Sequence, residues 1–213
     1  MPEFAHLLEG YRRFRDDGYP QQRERYDHLV AEGQDPKVMI IGCSDSRVDP
    51  AQIFDVDPGQ IFVVRNVAAL VPPFETTPGL HGVSAALEFA VQFLKVRQIV
   101  VMGHGMCGGC KAALTRDLHG TAPGEGGFIA NWIHMLDDVR HPIADALGTE
   151  SREAERAMEL AAVGVSLANL RTFPCVREKE ATGELTLRGA FFAISEGVLY
   201  LRDDETGQFI PAD

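Results

Sequence analysis

The stretch KVMIIGCSDSR, Lys37 to Arg47, decides the fold and poses the functional question. Its first half, KVMIIG (37–42), is short, apolar and bounded by turn signals, the pattern of a strand buried on both faces. Its second half then presents a cysteine, an aspartate and an arginine at alternate positions, Cys43, Asp45 and Arg47. QIFVVRN (60–66) and QIVVMG (98–103) have the same buried-strand character, and a glycine-rich loop leads from the latter into a helix beginning near Gly108. Between the strands lie segments with helical apolar spacing. Phe4, Leu7, Leu8, Tyr11 and Phe14 mark a first amphipathic helix, and a strongly charged second one covers Gln21 to Glu32 and ends at Gly33. Thr77 before Pro78 reads as a helix start, with Leu80, Val83, Leu87, Val91 and Leu94 as its buried face. Further helices are expected over about Phe128 to Asp145 and Ser151 to Leu170, followed by strands in LTLRGAFFAI (185–194) and VLYLRDD (198–204). Alternation of this kind predicts an α/β fold: a mainly parallel central sheet, helices on both faces and an antiparallel edge strand.

One domain is expected over residues 1–213, with a helical arm at 1–33, a core at 34–120, and helices and edge strands at 121–213. The arm's apolar stripe packs either on its own domain or on a second subunit, and packing on a dimer partner is the expectation carried forward. Lys and Arg number 20 against 31 Asp and Glu, a formal charge of −11, which speaks against nucleic acid, anionic membrane or a polyanionic substrate. No segment has the apolar length to span a bilayer, and the N-terminus has no uninterrupted apolar run of the secretory kind, so a cytoplasmic location is expected. In such a compartment the four cysteines, Cys43, Cys107, Cys110 and Cys175, serve metals or catalysis more often than disulfides.

Two loops carry the chemistry. CSDSR (43–47) leaves the first strand and GHGMCGGC (103–110) leaves the third, both at the carboxyl edge of the sheet, where ligands gather in folds of this type. If those strands are neighbours, Cys43, His104 and Cys107 meet at one point, and two thiolates with one imidazole suit Zn2+. Three protein ligands leave a position for water, the mark of a catalytic rather than a structural site. Other readings remain open at this point. Cys107-x-x-Cys110 is also a redox spacing, Cys110 would close the zinc site as a fourth ligand, and Gly103 to Gly108 satisfies G-x-G-x-x-G. Against the last, HGTAPGEGG (119–127) is not the apolar strand that a dinucleotide unit requires after its helix. Cys110 is best read as a first-turn helix residue facing the core, and Cys175 as a small buried hydrophobe.

With CSDSR, VVRNVAALVPP (63–73), SAALEFAV (84–91) and GHxxCGG (103–109, read with GMC at 105–107) in this order, the chain resembles the β-class carbonic anhydrases, from about Gln34 to Ala113. The resemblance implies a parallel-centred sheet in a tight dimer or higher even homo-oligomer, with sites at the subunit boundary. It implies one zinc per chain on Cys43, His104 and Cys107, and Asp45 with Arg47 as catalytic dyad. Gln34, Phe62 and Val67 match substrate-pocket positions, the first in the plant-like branch, and the Gly108 amide faces the charge developing on the substrate. The implied reaction is reversible hydration of carbon dioxide to bicarbonate by a zinc-activated hydroxide that the dyad orients; carbon disulfide or carbonyl sulfide is the alternative substrate. His81 is read as a plain solvent-facing histidine rather than a proton relay.

Overall fold

The structure, a computed structural model, describes residues 2–212; Met1 and Asp213, the limits of the expected domain, lie outside the described residues. The chain opens with α1 (Pro2–Arg13), α2 (Tyr19–Gln21) and α3 (Arg23–Glu32), where Gly33 at φ 81° stops the helix. Strand β1 (Val38–Cys43) follows, then the short α4 (Pro50–Ile53), β2 (Ile61–Asn66), α5 (Gly82–Glu88) and β3 (Gln98–His104). Helices α6 (Gly108–Thr115), α7 (Gly127–Ile133), α8 (Asp137–Leu147), α9 (Arg152–Leu170) and α10 (Pro174–Ala181) precede β4 (Thr186–Ala193), β5 (Val198–Arg202) and β6 (Phe209–Pro211).

All six strands form one sheet in the order β2-β1-β3-β4-β5-β6, parallel from β2 to β4 and antiparallel from β4 to β6. The expected mainly parallel sheet with an antiparallel edge is therefore present. Alternate residues of β1 serve opposite faces, as the pleat requires. Met39 and Ile41 join Leu87 of α5, Val163 and Leu167 of α9 and Val176 of α10 in the larger core, while Ile40 meets Met102, Ala190 and, beside α4, Phe54 on the other side. A third cluster lies under the loops at the carboxyl edge, where Cys43, Cys107 and Cys110 pack with Leu114, Leu136 and Met158.

Several sequence expectations are corrected. The helix expected at Thr77–Pro78 starts only at Gly82, because the His81 ring takes the Thr77 carbonyl at 2.8 Å and Gly79 and Gly82 disfavour an early turn. Leu80, expected in its buried face, is fully exposed. The helix expected over Phe128 to Asp145 is two helices joined by a 3-10 turn at His134–Leu136. Helix α10 and strand β6 lay outside the expectations altogether.

The arm formed by α1 to α3 keeps its apolar stripe in the open. Phe4, Leu7, Tyr11 and Phe14 are all more than 40% exposed, against an interior in which Met39, Leu87 and Ile99 are fully covered.

Candidate metal centre

Strands β1 and β3 are hydrogen-bonded neighbours, with Gly42 opposite Met102, so the loops that follow them leave side by side. This brings Cys43, His104 and Cys107 together: their donor atoms lie within 4.8 Å of one another, and all three residues are buried. The His104 Nδ1 sits 2.9 Å from the Gly105 carbonyl oxygen, which only accepts, so Nδ1 carries the proton and Nε2 is left with its lone pair. That Nε2 is buried without a hydrogen-bond partner. An imidazole tied back to a carbonyl through one nitrogen, with the other bare and facing two thiols, is oriented as zinc-binding histidines are. Two thiols and this imidazole fit a zinc ion and leave room for a fourth, non-protein ligand. Cys110, also buried, packs against the Cys107 thiol from the first turn of α6 but lies outside the converging trio.

With no cation among them the thiols resist ionising. The Cys107 thiol held against Cys43, and then burial, push the Cys43 thiol up to about 12. Cys107 is likewise pushed up to about 12, first by its hydrogen bond with Cys110 and then by burial, against the opposing pull of Cys43. For His104 burial is the largest influence and lowers the pKa, but the nearby Cys43 thiol outweighs it, and the net shift is upward. Both thiols thus need a divalent cation to become thiolates near neutral pH.

Asp45 lies beside this trio, gripped by Arg47. Arg47 Nε donates to Asp45 Oδ1 at 2.9 Å and Nη2 to Oδ2 at 2.7 Å, a bidentate fork, and the Arg47 amide adds a third bond to Oδ1 at 3.0 Å. The fork holds the Asp45 carboxyl far below the usual carboxylate range. Arg47 Nη2 also reaches the carbonyl oxygen of Met106 at 3.0 Å, tying the first loop to the second.

Sequence reading missed a second arginine. Arg65, at the end of β2, donates through Nε to the Cys43 carbonyl at 2.9 Å, through Nη2 to the Asp45 carbonyl at 2.6 Å and through Nη1 to Asp49 at 2.9 Å, so one side chain fixes the path of the whole first loop. The available signal was a charge inside an apolar strand. Asn66 bonds the Leu70 backbone in both directions, bracing Ala68 and Ala69 at φ 63° and 54°, a left-handed pair that alanine adopts only under constraint. Glu159 on α9 was missed as well; it is 2% exposed and accepts the Cys107 amide at 3.2 Å.

The pocket residues divide. Val67 follows Asn66, the register partner of Cys43, and Gly108 opens α6 directly after Cys107, so both border the trio. Gln34 and Phe62 do not. Phe62 pairs with Met39, four residues or about 13 Å down the strand from Cys43, and lies tilted against Phe89 with ring centroids 5.9 Å apart. Gln34 precedes β1 altogether and is exposed at the opposite edge of the sheet.

Fold and site together define a class: a parallel-centred α/β protein with a Cys-His-Cys cluster that could hold a metal at the carboxyl edge of its sheet. The comparisons with known proteins agree. The model of the carbonic anhydrase family matches residues 38–199. Beta carbonic anhydrase 3 of Arabidopsis thaliana is 36% identical over 196 residues, covering 92% of this chain and 75% of its own. Among solved structures, the β-carbonic anhydrase CcaA superposes with a TM-score of 0.90 at 29% identity, covering 100% of this chain and 93% of its own. One of two tetrameric β-carbonic anhydrases of the ascomycete Sordaria macrospora superposes with a TM-score of 0.80 at 30% identity, covering 94% and 97%. The chain belongs to the carbonic anhydrase family, in its β class, and is by that membership a carbonate dehydratase, a lyase.

Proposed function

We propose that this chain interconverts carbon dioxide and bicarbonate at one zinc ion held by Cys43, His104 and Cys107, with Asp45 and Arg47 as the catalytic dyad. The observation that carries the reading is the bare, buried Nε2 of His104 facing two thiols. When bound, zinc supplies a Lewis acid that makes hydroxide available near neutral pH. Two thiolates offset the formal charge of the ion, so an acceptor that favours the hydroxide geometry is useful.

Asp45 is that acceptor. Ionised and acceptor-only, it would accept a hydrogen bond from the attacking nucleophile and so aim it at carbon. Arg47 holds both carboxylate oxygens, which keeps Asp45 from filling the open coordination position itself. Val67 offers an apolar wall for an apolar substrate, and the Gly108 amide at the head of α6 meets the negative charge that develops on the substrate oxygens. Gln34 and Phe62 stand too far from the trio of their own chain to act there, so they serve the trio of a second subunit. The exposed stripe of the N-terminal arm supports the same homodimer or higher even homo-oligomer, built on one domain per chain. Among the described residues no helix is long and apolar enough to cross a membrane, and a cytoplasmic location is proposed with this reading.

Stopped-flow hydration of carbon dioxide, with and without a chelator, tests the assignment together with Asp45→Asn. Activity is expected to vanish on chelation and to fall by about 10²–10⁴-fold in Asp45→Asn with zinc still bound. Full activity in the zinc-loaded variant overturns the role of Asp45.

A further inference from the structure

We infer that Glu159, on α9, is a positioning residue of the metal centre: its carboxylate holds the Met106–Cys107 peptide that delivers the Cys107 thiol. The inference rests on the zinc reading above and assigns a function to a buried carboxylate that reading leaves unused.

The peptide between Met106 and Cys107 is held at both ends. Its carbonyl oxygen accepts from Arg47 Nη2 at 3.0 Å, and its N–H donates to Glu159 Oε1 at 3.2 Å. A continuous chain of hydrogen bonds thus runs from the Asp45 carboxylate through Arg47 and across one peptide plane to Glu159. That plane is where the loop is under strain. Met106 sits at φ 57°, in the left-handed region, and a non-glycine residue stays there only where its surroundings over-determine it. Arg47 alone fixes one edge of the plane. Glu159 fixes the other, and the orientation of the plane sets where the Cys107 Cα–Cβ bond points.

The placement of Glu159 makes little sense as a device for stability. It is 2% exposed, its Oε2 has no partner among the described residues, and its nearest cation, Arg152 at 3.7 Å, is half-exposed and already paired with Glu155. Burying a carboxylate so poorly compensated is costly, and a hydrophobe of similar volume would pack at least as well. Nor is α9 free to drift. A Cβ built at Gly103 would meet Val163 Cγ2 at 2.7 Å and the Glu159 backbone oxygen at 3.5 Å, so α9 packs closely on β3 where the loop begins. The carboxylate is delivered to the peptide from a rigid support.

The test compares Glu159→Gln, which keeps an acceptor oxygen for the Cys107 amide, with Glu159→Met, which keeps volume and removes it. Zinc affinity is measured by chelator competition on the full chain, kcat/KM by hydration, and stability by melting of the metal-free protein. Glu159→Met is expected to hold zinc about 10–100-fold more weakly and to lose kcat/KM in parallel, while Glu159→Gln stays close to wild type and both metal-free variants melt near the wild-type temperature. Wild-type zinc affinity in Glu159→Met overturns the inference, and so does a Glu159→Met chain that fails to fold, since either result assigns the residue elsewhere. Equal losses in the two variants also overturn it. A wild-type chain that takes up no zinc overturns the metal-centre reading itself, a separate failure visible in the same experiment.

Discussion

Arg47 combines two tasks that a lysine cannot. Its planar fork satisfies both oxygens of Asp45, and the same Nη2 reaches across to Met106, whereas an ammonium is a point charge with no such geometry. Arg47→Lys is therefore expected to lose about 10–100-fold in kcat/KM through the lost charge-assisted bonds, measured at full zinc occupancy. The thiols make a second prediction. Because Cys43 and Cys107 stay protonated to about 12 without a cation, both must give up a proton when zinc binds at neutral pH. His104, its pKa raised, keeps its proton to higher pH than an ordinary imidazole, so below that raised value a third proton joins them. Zinc affinity thus weakens as pH falls, by roughly two powers of ten per pH unit near neutrality. Calorimetry in buffers of different ionisation enthalpy counts these protons; release well below two per site would refute the thiol assignment. Asp45 titrates the other way: its depressed pKa contributes stability that is present above the ordinary carboxylate range and is lost as pH falls through the depressed value. At this scale Cys43, Asp45, Arg47, His104 and Cys107 were legible because their types and spacing are chemically specific. Glu159 was not, since a glutamate in a helix with charged neighbours reads as solvent-facing, and only packing puts its side of α9 inside.

Elements, rather than residues, keep the two loops in reach of each other. Helix α6 presses on the turn after β2: a Cβ at Gly109 would stand 2.7 Å from Val67 Cγ1 and 3.5 Å from the Ala68 backbone nitrogen. Trp132 of α7 closes the other side through its Nε1 bond to the Val67 carbonyl at 2.8 Å, which leaves that turn little space to yield. Gly109→Ala is accordingly expected to cost about 1–3 kcal/mol, read as a melting temperature lower by several degrees, and to weaken activity by displacing Val67. An unchanged melting temperature would show that the α6 contact is slack. Strand assignments were secure for β1 to β5 because apolar runs bounded by turns have few other uses, while the three-residue β6 is too short to leave such a run. Helix boundaries were less so. Thr77 and Pro78 carry a sound local start signal, yet the His81 ring claims the carbonyl that the first turn would need, and no local pattern announces such a competitor. Pro174 likewise opens α10 as a first-turn proline, a signal masked by the short apolar content of PCVREKEA.

For the whole molecule the proposed assembly makes the sharpest test. On the proposed assembly, with Gln34 and Phe62 at the amino edge of the sheet and the trio at the carboxyl edge, each site would draw on two chains. Mixing two inactive variants, Gln34→Ala and Asp45→Asn, is expected to restore activity, because half of the randomly re-formed dimers carry one site with both residues intact, giving about a quarter of the wild-type rate. A mixture no more active than the average of its parts would place Gln34 in its own chain's site and refute the shared arrangement. By itself the sequence determined most of the elements along the chain, a candidate donor set for a metal and the Asp45–Arg47 pairing beside it, since these follow from residue type and short-range spacing. Tertiary structure alone decided that β1 and β3 are adjacent, that Arg65 and Glu159 converge on the two loops from residues 22 and 52 positions away from the atoms they hold, and that Gln34 and Phe62 face away from their own trio. Such pairings depend on which surfaces bury one another in three dimensions, and a burial shared between distant segments leaves no periodic trace in either.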